Sequence, residues 1–377
     1  MADILLKNGR VLDPFNGIDQ VMDLAVSKGI IEKIHESITA EALQTIDLSG
    51  CIVTPGLIDF HTHIFPLAEI GVLGEATYFP SGVTTVVDAG SAGAGTYEGH
   101  RGFLGSTKLN IKCFLNISSG GLATGSYLEN LNPKHYNRDK IRKLFNKYRH
   151  ELIGLKVRQG AEIVGEFGLE PLKEAIKLAD ELGVKVMVHC SNPPSDMEDL
   201  VNLLRTGDIL SHAFQNKHST ILDASGKVSE AVWKARDRGV IFDVAHANVH
   251  FSFDVAVIAF DQGFLPDTIS TDLTVRSLYK RPAVMNMLHV MSRFLSMGMS
   301  LEQVVKACTQ KPAQLLGMER ELGSLSEGTI ADLSVLRLID SKTQFGDCDG
   351  NIINGSQQFR AMLTIKEGDL VFRDIEI

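Results

Sequence analysis

The stretch LIDFHTH, residues Leu57–His63, is an apolar run of strand-forming residues that ends in two histidines. From this point onward, similar short apolar runs alternate with helix-like segments, which is the pattern of repeated strand–helix units around a parallel sheet. Eight such units over about 270 residues match the size of one closed barrel. The predicted strands are Leu57–His63, Thr84–Gly90, Lys112–Ser118, Gly154–Arg158, Lys185–Cys190, Ile209–Phe214, Val240–Ala245 and Thr268–Asp272.

The two ends of the chain have a different pattern, because apolar and polar positions alternate there between turn signals such as Asn8-Gly9 and Glu367-Gly368. Since both ends share this pattern and the middle lacks it, residues 1–54 and 325–377 are predicted to form one composite β domain. Residues 55–324 are predicted to form the barrel. The expected fold class is α/β, a (β/α)8 TIM-type barrel with a small β-sandwich domain formed from both termini.

Composition limits the classes of partner. The chain has 377 residues and a formal net charge of −9, with Lys and Arg scattered, so it lacks the basic patch of a protein that binds nucleic acid or anionic lipid. Five cysteines without CxxC spacing fit reduced thiols, and the first residues lack signal-peptide features. We expect a cytoplasmic protein with a small-molecule substrate and no nucleic-acid or membrane partner. We also expect a homo-oligomer.

Several predicted strands end in side chains that can bind metal. His61 and His63 are two residues apart, so a strand would point both imidazoles to the same side. His189, His212 and Asp272 each end an apolar run. The carboxyl-terminal ends of barrel strands carry the active site in this fold, whereas a histidine kept for packing has no reason to prefer that end. Each residue alone could be a satisfied polar group, but together they predict a metal site.

Lys156 lies between Leu155 and Val157 in a short predicted strand. An unpaired ammonium group is costly to bury there. Burial lowers the pKa of a lysine, and the resulting neutral amine can react with carbon dioxide to give a carbamate. A carboxylated Lys156 would be a carboxylate on a long arm, able to bridge two divalent ions. The alternative is an exposed lysine at the end of a strand.

The motif PGLIDFHTH, Pro55–His63, and the ordered set HxH, Lys, His, His and Asp resemble the amidohydrolase superfamily, in particular its binuclear members. The resemblance covers essentially the whole chain. It implies a centre of two divalent ions with six ligands: His61, His63, Lys156, His189, His212 and Asp272.

In the arrangement that the resemblance implies, the first two histidines hold the more buried ion, and His189 and His212 hold the more exposed one. Carboxylated Lys156 bridges the ions, and Asp272 binds the buried ion and acts as the general base. Two such ions can share a water and lower its pKa, which gives a metal-bridging hydroxide at neutral pH. Histidine and carboxylate ligands suit zinc best, although other divalent metals fit them too.

Two further stretches, Gly82–Gly90 and Phe242–His246, resemble the amidohydrolase/deacetylase (dihydroorotase-like) subgroup. This resemblance implies a deacetylase- or aminoacylase-like enzyme that cleaves an acyl amide or ester of a small carboxylate-bearing molecule. Phe65 stands where dihydroorotases carry an arginine, and Lys156 stands where the compared adenine deaminases carry a glutamate. The alternatives are a deaminase of adenine or another cyclic amidine, a cyclic amide hydrolase of the hydantoinase or dihydroorotase type, and a scaffold protein of the same fold.

Loops after the predicted strands supply candidate substrate-binding groups. An arginine with the strand parity of Lys156 could clamp a carboxylate or form a surface ion pair. A glycine-rich loop could present backbone N–H groups, and two loop histidines could touch substrate or bond locally. These candidates are Arg158, Ser119, Gly120, Gly121, His246 and His250. We interpret Arg276, Lys280 and Arg281 as a solvated helix face.

Overall fold

The structure of this protein is a computed structural model that describes residues 1–66, 68–105, 107–122 and 129–377. Its strands are β1 (Ala2–Asp13), β2 (Ile18–Ser27), β3 (Ile30–His35), β4 (Ala42–Asp47), β5 (Ile52–Pro55), β6 (Leu57–Thr62), β7 (Val83–Gly93), β8 (Asn110–Asn116), β9 (Leu152–Arg158), β10 (Lys185–His189), β11 (Ile209–Ser211), β12 (Ile241–Asp243), β13 (Leu333–Gly346), β14 (Ile352–Lys366) and β15 (Asp369–Arg373).

Helices fill most of the connections between the barrel strands. They are α1 (Gly74–Tyr78), α2 (Tyr97–Arg101), α3 (Arg138–Lys147), α4 (Ala161–Val164), α5 (Glu170–Leu182), α6 (Met197–Leu203), α7 (Glu230–Asp237), α8 (Phe253–Asp261), α9 (Val275–Tyr279), α10 (Met287–Ser296), α11 (Leu301–Cys308) and α12 (Gln310–Leu316). Short 3-10 turns lie at Phe79–Ser81, Pro133–His135 and Gly165–Phe167. Local chemistry sets several boundaries: α11 begins after a capping box of Ser300 and Gln303, and α5 ends at Gly183, whose φ is +67°. Among the described helices, none combines the length and the apolar character needed to cross a lipid bilayer.

Strands β6 to β12 form a seven-stranded parallel sheet in chain order, and they correspond to seven of the eight predicted strands. Both faces of this sheet are covered; β7, for example, is buried along its whole length. Phe60, Phe114 and Met187 belong to an apolar cluster formed largely by side chains of these strands. The near-continuous apolar runs in the sequence are explained by this burial on two sides. The predicted fold class, a TIM-type barrel joined to a β structure from both termini, is confirmed.

The eighth predicted strand, Thr268–Asp272, differs from the prediction. In its place the structure has two isolated parallel bridges, one between Asp243 and Thr268 and one between Thr62 and Leu273. Side chains supply part of the missing ladder, since Thr271 donates its N–H to Asp59 Oδ1 at 3.0 Å. The ring therefore closes through this segment without a continuous eighth strand.

The termini form one eight-stranded mixed sheet in the order β15-β14-β13-β5-β1-β2-β3, with β4 paired to β1. Strand β5, from the start of the chain, pairs antiparallel with β13 from its end. Strand β1 pairs with β4 over residues 2–7 and with β5 at Arg10 and Val11, so the sheet divides along β1. The domain boundaries at residues 54 and 325 stay a prediction.

Candidate metal centre

Four predicted ligands form a buried cluster at the carboxyl-terminal ends of β6 and β9 and at the closing segment, Thr268–Leu273, which completes the ring. His63 Nε2 lies 3.1 Å from Asp272 Oδ1, and His61 Nε2 lies 3.6 Å from the same oxygen. Lys156 Nζ lies 3.3 Å from His61 Nε2. Residues far apart in the sequence thus present two imidazoles, one carboxylate and one amine to a common point.

His189 and His212 form a second group beside the first. His212 Nε2 lies 2.7 Å from His189 Nδ1 and 4.0 Å from Asp272 Oδ2. His250, predicted only as a substrate-binding candidate, joins this group, because nitrogen atoms of His189, His212 and His250 lie within 4.8 Å of one another. His250 lies in a loop after β12, so no strand periodicity could assign it to the metal cluster.

A buried carboxylate orients the ring of His61. His61 Nδ1 lies 3.1 Å from Asp243 Oδ2 and 3.1 Å from Ser211 Oγ. Asp243 also accepts hydrogen bonds from Thr268 Oγ1 at 2.7 Å and Ser270 Oγ at 2.6 Å, so its position is fixed. With the Nδ1–H directed to this carboxylate, Nε2 presents its lone pair to the cluster, as in metal sites with a carboxylate behind the histidine.

The rings of His63 and His212 are oriented by the same kind of contact. His63 Nδ1 lies 2.8 Å from Ser91 Oγ, which in turn donates to Asp88 Oδ2 at 2.7 Å. His212 Nδ1 donates to the carbonyl of Ala245 at 2.7 Å. Both rings therefore also turn Nε2 toward the cluster, in the tautomer that a metal ion requires.

Burial keeps the imidazoles of His61, His189 and His212 neutral. It lowers the pKa of His61, His189 and His212 well below the ordinary value of a histidine, with a smaller contribution from neighbouring cationic groups. It lowers the pKa of His250 to about 4. Neutral imidazole is the form that donates a lone pair to a metal, so the donor set fits divalent metal ions.

Lys156 is 1 % exposed. Burial lowers its pKa to about 8, against the opposing charges of Asp272 and Asp243. The neighbouring Gly90 makes room for its side chain, because a Cβ at position 90 would lie 2.6 Å from both Cβ and Cγ of Lys156. The alternative of an exposed lysine at a strand end is therefore wrong for the described structure.

Non-glycine residues in left-handed backbone conformations surround the cluster. The φ angles are +63° at His212, +47° at Asp272, +43° at Ala245 and +42° at Ala247. Each such conformation costs on the order of 1 kcal/mol or more and persists only where the surrounding structure imposes it. Asp272 is held by its own N–H, which donates to His61 O at 2.7 Å.

The cluster opens into a cavity of about 520 Å³. Arg158 lines it, but its Nη1 donates to Glu129 Oε2 at 2.6 Å, and Glu129 also accepts a hydrogen bond from Asn116 Nδ2 at 2.9 Å. The Glu129 side chain is only 5 % exposed. This buried carboxylate balances the charge of the arginine that we predicted as a substrate clamp, and it gives no recognisable signal in the sequence.

Two other cations line the same cavity, namely Arg276 on α9 and Lys280 just after it. Both side chains are exposed, as the interpretation of a solvated helix face expects, and they also border the cavity mouth because α9 starts immediately after the segment that closes the ring. Arg281 does not line this cavity.

Only some of the remaining substrate-binding candidates lie at the cavity. Gly121 lines the cavity with His250, whereas Ser119, Gly120 and His246 are not among its described lining residues. The ring of His246 stacks on Phe251 instead, with a centroid distance of 4.6 Å. Its position three residues beyond the end of β12 did not reveal that the ring turns away from the cavity.

Comparison with known proteins gives a consistent result. A model of the amidohydrolase family matches residues 52–371. The chain is 32% identical to a deacetylase of Brucella anthropi over 339 residues, which cover 89% of this chain and 84% of the relative. A solved structure of an adenine deaminase superimposes with a TM-score of 0.92 at 27% identity, covering 99% of this chain and 100% of that one. A solved dihydroorotase structure gives a TM-score of 0.89 at 30% identity, covering 98% of this chain and 99% of that one.

Proposed function

This chain belongs to the amidohydrolase family and is a hydrolase, and on that premise we propose that it cleaves an acyl amide or ester bond of a small carboxylate-bearing molecule. The observation that carries this proposal is the convergence of Asp272 with four buried histidines and Lys156 at the bottom of a cavity. The relative named a deacetylase, with similar sequence over most of both chains, favours acyl transfer to water.

We propose that two divalent ions bind at this cluster and that they are zinc, which the histidine and carboxylate donors suit best. His61, His63 and Asp272 would hold the inner ion, and His189 and His212 the outer one. Lys156, carboxylated by carbon dioxide, would bridge them. Such ions supply an activated water and polarise a carbonyl group.

The protein's own groups perform the proton transfer and the orientation. Asp272 points one oxygen toward His61 and His63 and the other toward His212 and His250. From this position it accepts a proton from the attacking water and delivers it to the leaving nitrogen or oxygen. The buried Asp243 holds His61 in one tautomer throughout.

A cyclic amide hydrolase or a deaminase is the second candidate, and the similar dihydroorotase and adenine deaminase structures favour it. Phe65 counts against the dihydroorotase reaction, because its ring is buried against Tyr97 and His100 and offers no cation to the cavity. Acyl hydrolysis therefore remains the preferred proposal.

The proposed reaction is tested by metal analysis together with a substrate screen. We expect about two equivalents of divalent metal per chain and hydrolysis of N-acyl amino acids or O-acyl hydroxy acids, with a preference for one enantiomer. Removal of the metal by a chelator should abolish this hydrolysis, and added metal should restore it. Ammonia release from adenine, or ring opening of dihydroorotate or hydantoins, without any acyl hydrolysis would establish the second candidate instead.

We further propose that Arg276 and Lys280 bind the substrate carboxylate, because Glu129 already balances Arg158. Replacing Arg276 by glutamine should raise KM about tenfold for carboxylate-bearing substrates and change kcat little, since the lost contact is made equally in ground and transition states. Steady-state kinetics of R276Q and K280Q test this expectation.

The matched control is Lys306→Gln, which removes an exposed cation on α11 outside the cavity. An equal rise in KM for the amide analogue of the substrate, which lacks the carboxylate charge, would contradict the assignment.

A further inference from the structure

A second cavity, of about 790 Å³, lies between the residues around α10 and the hairpin of β13 and β14. It is separate from the candidate metal centre, since the two cavities share no lining residue. Its charged lining residues are Arg281, Arg293, Asp347 and Asp349. Neither the proposed reaction nor the similarity to known proteins assigns it a role.

Arg293, on α10, is 1 % exposed although it carries a guanidinium group. Its Nε has no hydrogen-bond partner among the described residues, and its Nη1 donates to the ring of His246. No described carboxylate lies within ion-pair distance, and the undescribed residues 67, 106 and 123–128 include no Asp or Glu. A buried cation without a contacting anion is costly, and burial lowers its pKa to about 9.

The two carboxylates of the cavity accept hydrogen bonds from other neighbouring groups and not from Arg293. Asp347 accepts the backbone N–H groups of Asp349 at 2.9 Å, Asn351 at 2.8 Å and Phe253 at 2.8 Å. Asp349 accepts hydrogen bonds from Asn216 Nδ2 at 2.6 Å and from Ser252 Oγ at 2.7 Å. The acidic side chains therefore fix the hairpin turn, while the guanidinium on the same cavity has spare donors.

We propose that the second cavity binds a small oxyanion, a phosphate or a carboxylate group, on Arg293, with Arg281 at its exposed rim. The planar guanidinium matches the two oxygens of such a group, and the surrounding burial strengthens the contact. The volume leaves room for more than the anionic group alone, so an organic acid or a phosphate ester fits the same chemistry.

This site is connected to the metal centre through one histidine. Arg293 donates to His246, and His246 Nδ1 in turn lies 2.5 Å from the carbonyl of Ala247. The adjoining residues Asn248 and His250 line the active-site cavity. An oxyanion on Arg293 would therefore be linked, through the guanidinium and His246, to the loop that lines the active-site cavity.

Calorimetric titration of the metal-replete protein with inorganic phosphate, and separately with succinate, tests the proposal. We expect binding whose Kd rises at least about tenfold in Arg293→Lys, which keeps the charge and loses the planar fork. The stronger of the two ligands identifies the anionic group. Arg276→Gln is the control for anions that bind at the active site, and it should leave this Kd unchanged.

A cavity-filling variant covers the case in which R293K does not fold. Ala283 lines the cavity, so Ala283→Trp should weaken binding by a similar factor while Arg293 stays in place. Three results would each overturn the proposal. They are wild-type affinity for the anion in folded R293K or A283W, no binding of either anion to the wild-type protein, and loss of all anion binding in R276Q.

Discussion

Replacing Asp272 by asparagine is expected to lower kcat about 10³-fold while the protein keeps most of its bound metal. Asparagine has the same shape and retains an oxygen ligand, but its amide accepts no proton from the attacking water. The backbone should accept the change, because φ at Asp272 is +47° and asparagine is among the non-glycine residues that tolerate this conformation best. Metal content and kcat, measured on the same preparation, test both parts of this prediction.

Asp208→Asn is the matched control for this variant. Asp208 is a fully buried carboxylate just before β11, at the opposite end of the barrel, where it accepts hydrogen bonds from Arg205 and from the N–H of Val186. Its replacement should lower the free energy of unfolding and leave kcat of the folded enzyme nearly unchanged. Full activity of D272N would refute the role of Asp272 as base, and loss of its metal would show that the residue acts chiefly as a ligand.

Replacing Lys156 by alanine is expected to cause the second large effect, a loss of metal and of nearly all activity. The variant lacks the amine whose carbamate would bridge the ions, and it leaves a hole behind Gly90. Short carboxylic acids such as acetate or propionate should restore part of the activity, because they place a carboxylate in that hole without the lysine arm. Activity as a function of acid concentration measures this rescue, and it should saturate.

Lys185→Ala is the corresponding control, since Lys185 begins β10 at the amino-terminal end of the barrel and is exposed. It should retain its metal and show no response to added acids. Undiminished metal content in K156A would contradict the bridging role, and a mass of wild-type protein lacking the added carbon dioxide would contradict the carbamate.

The barrel was predictable because strands buried on two faces leave long apolar runs, as around Val86 and Val188. The end of each run also marks where polar residues emerge, and four histidines could be found in this way: His61, His63, His189 and His212. The same reasoning could not identify the residues of the site that lie in loops. His250, Glu129 and Arg276 reach the cavity through connections whose course depends on the closed ring. Asp243 does not line the cavity and contacts the proposed ligand His61 from behind.

The segment Thr268–Leu273 closes the ring through individual hydrogen bonds and not through a continuous strand ladder. Two single bridges stand where a ladder would run, and His63 N–H donates to Leu273 O at 3.2 Å beside them. Asp272, the proposed general base, therefore lies in the segment that closes the barrel. We expect mutations that loosen this segment to lower kcat before they unfold the protein. A fall in kcat would therefore be the earliest sign that the segment is displaced.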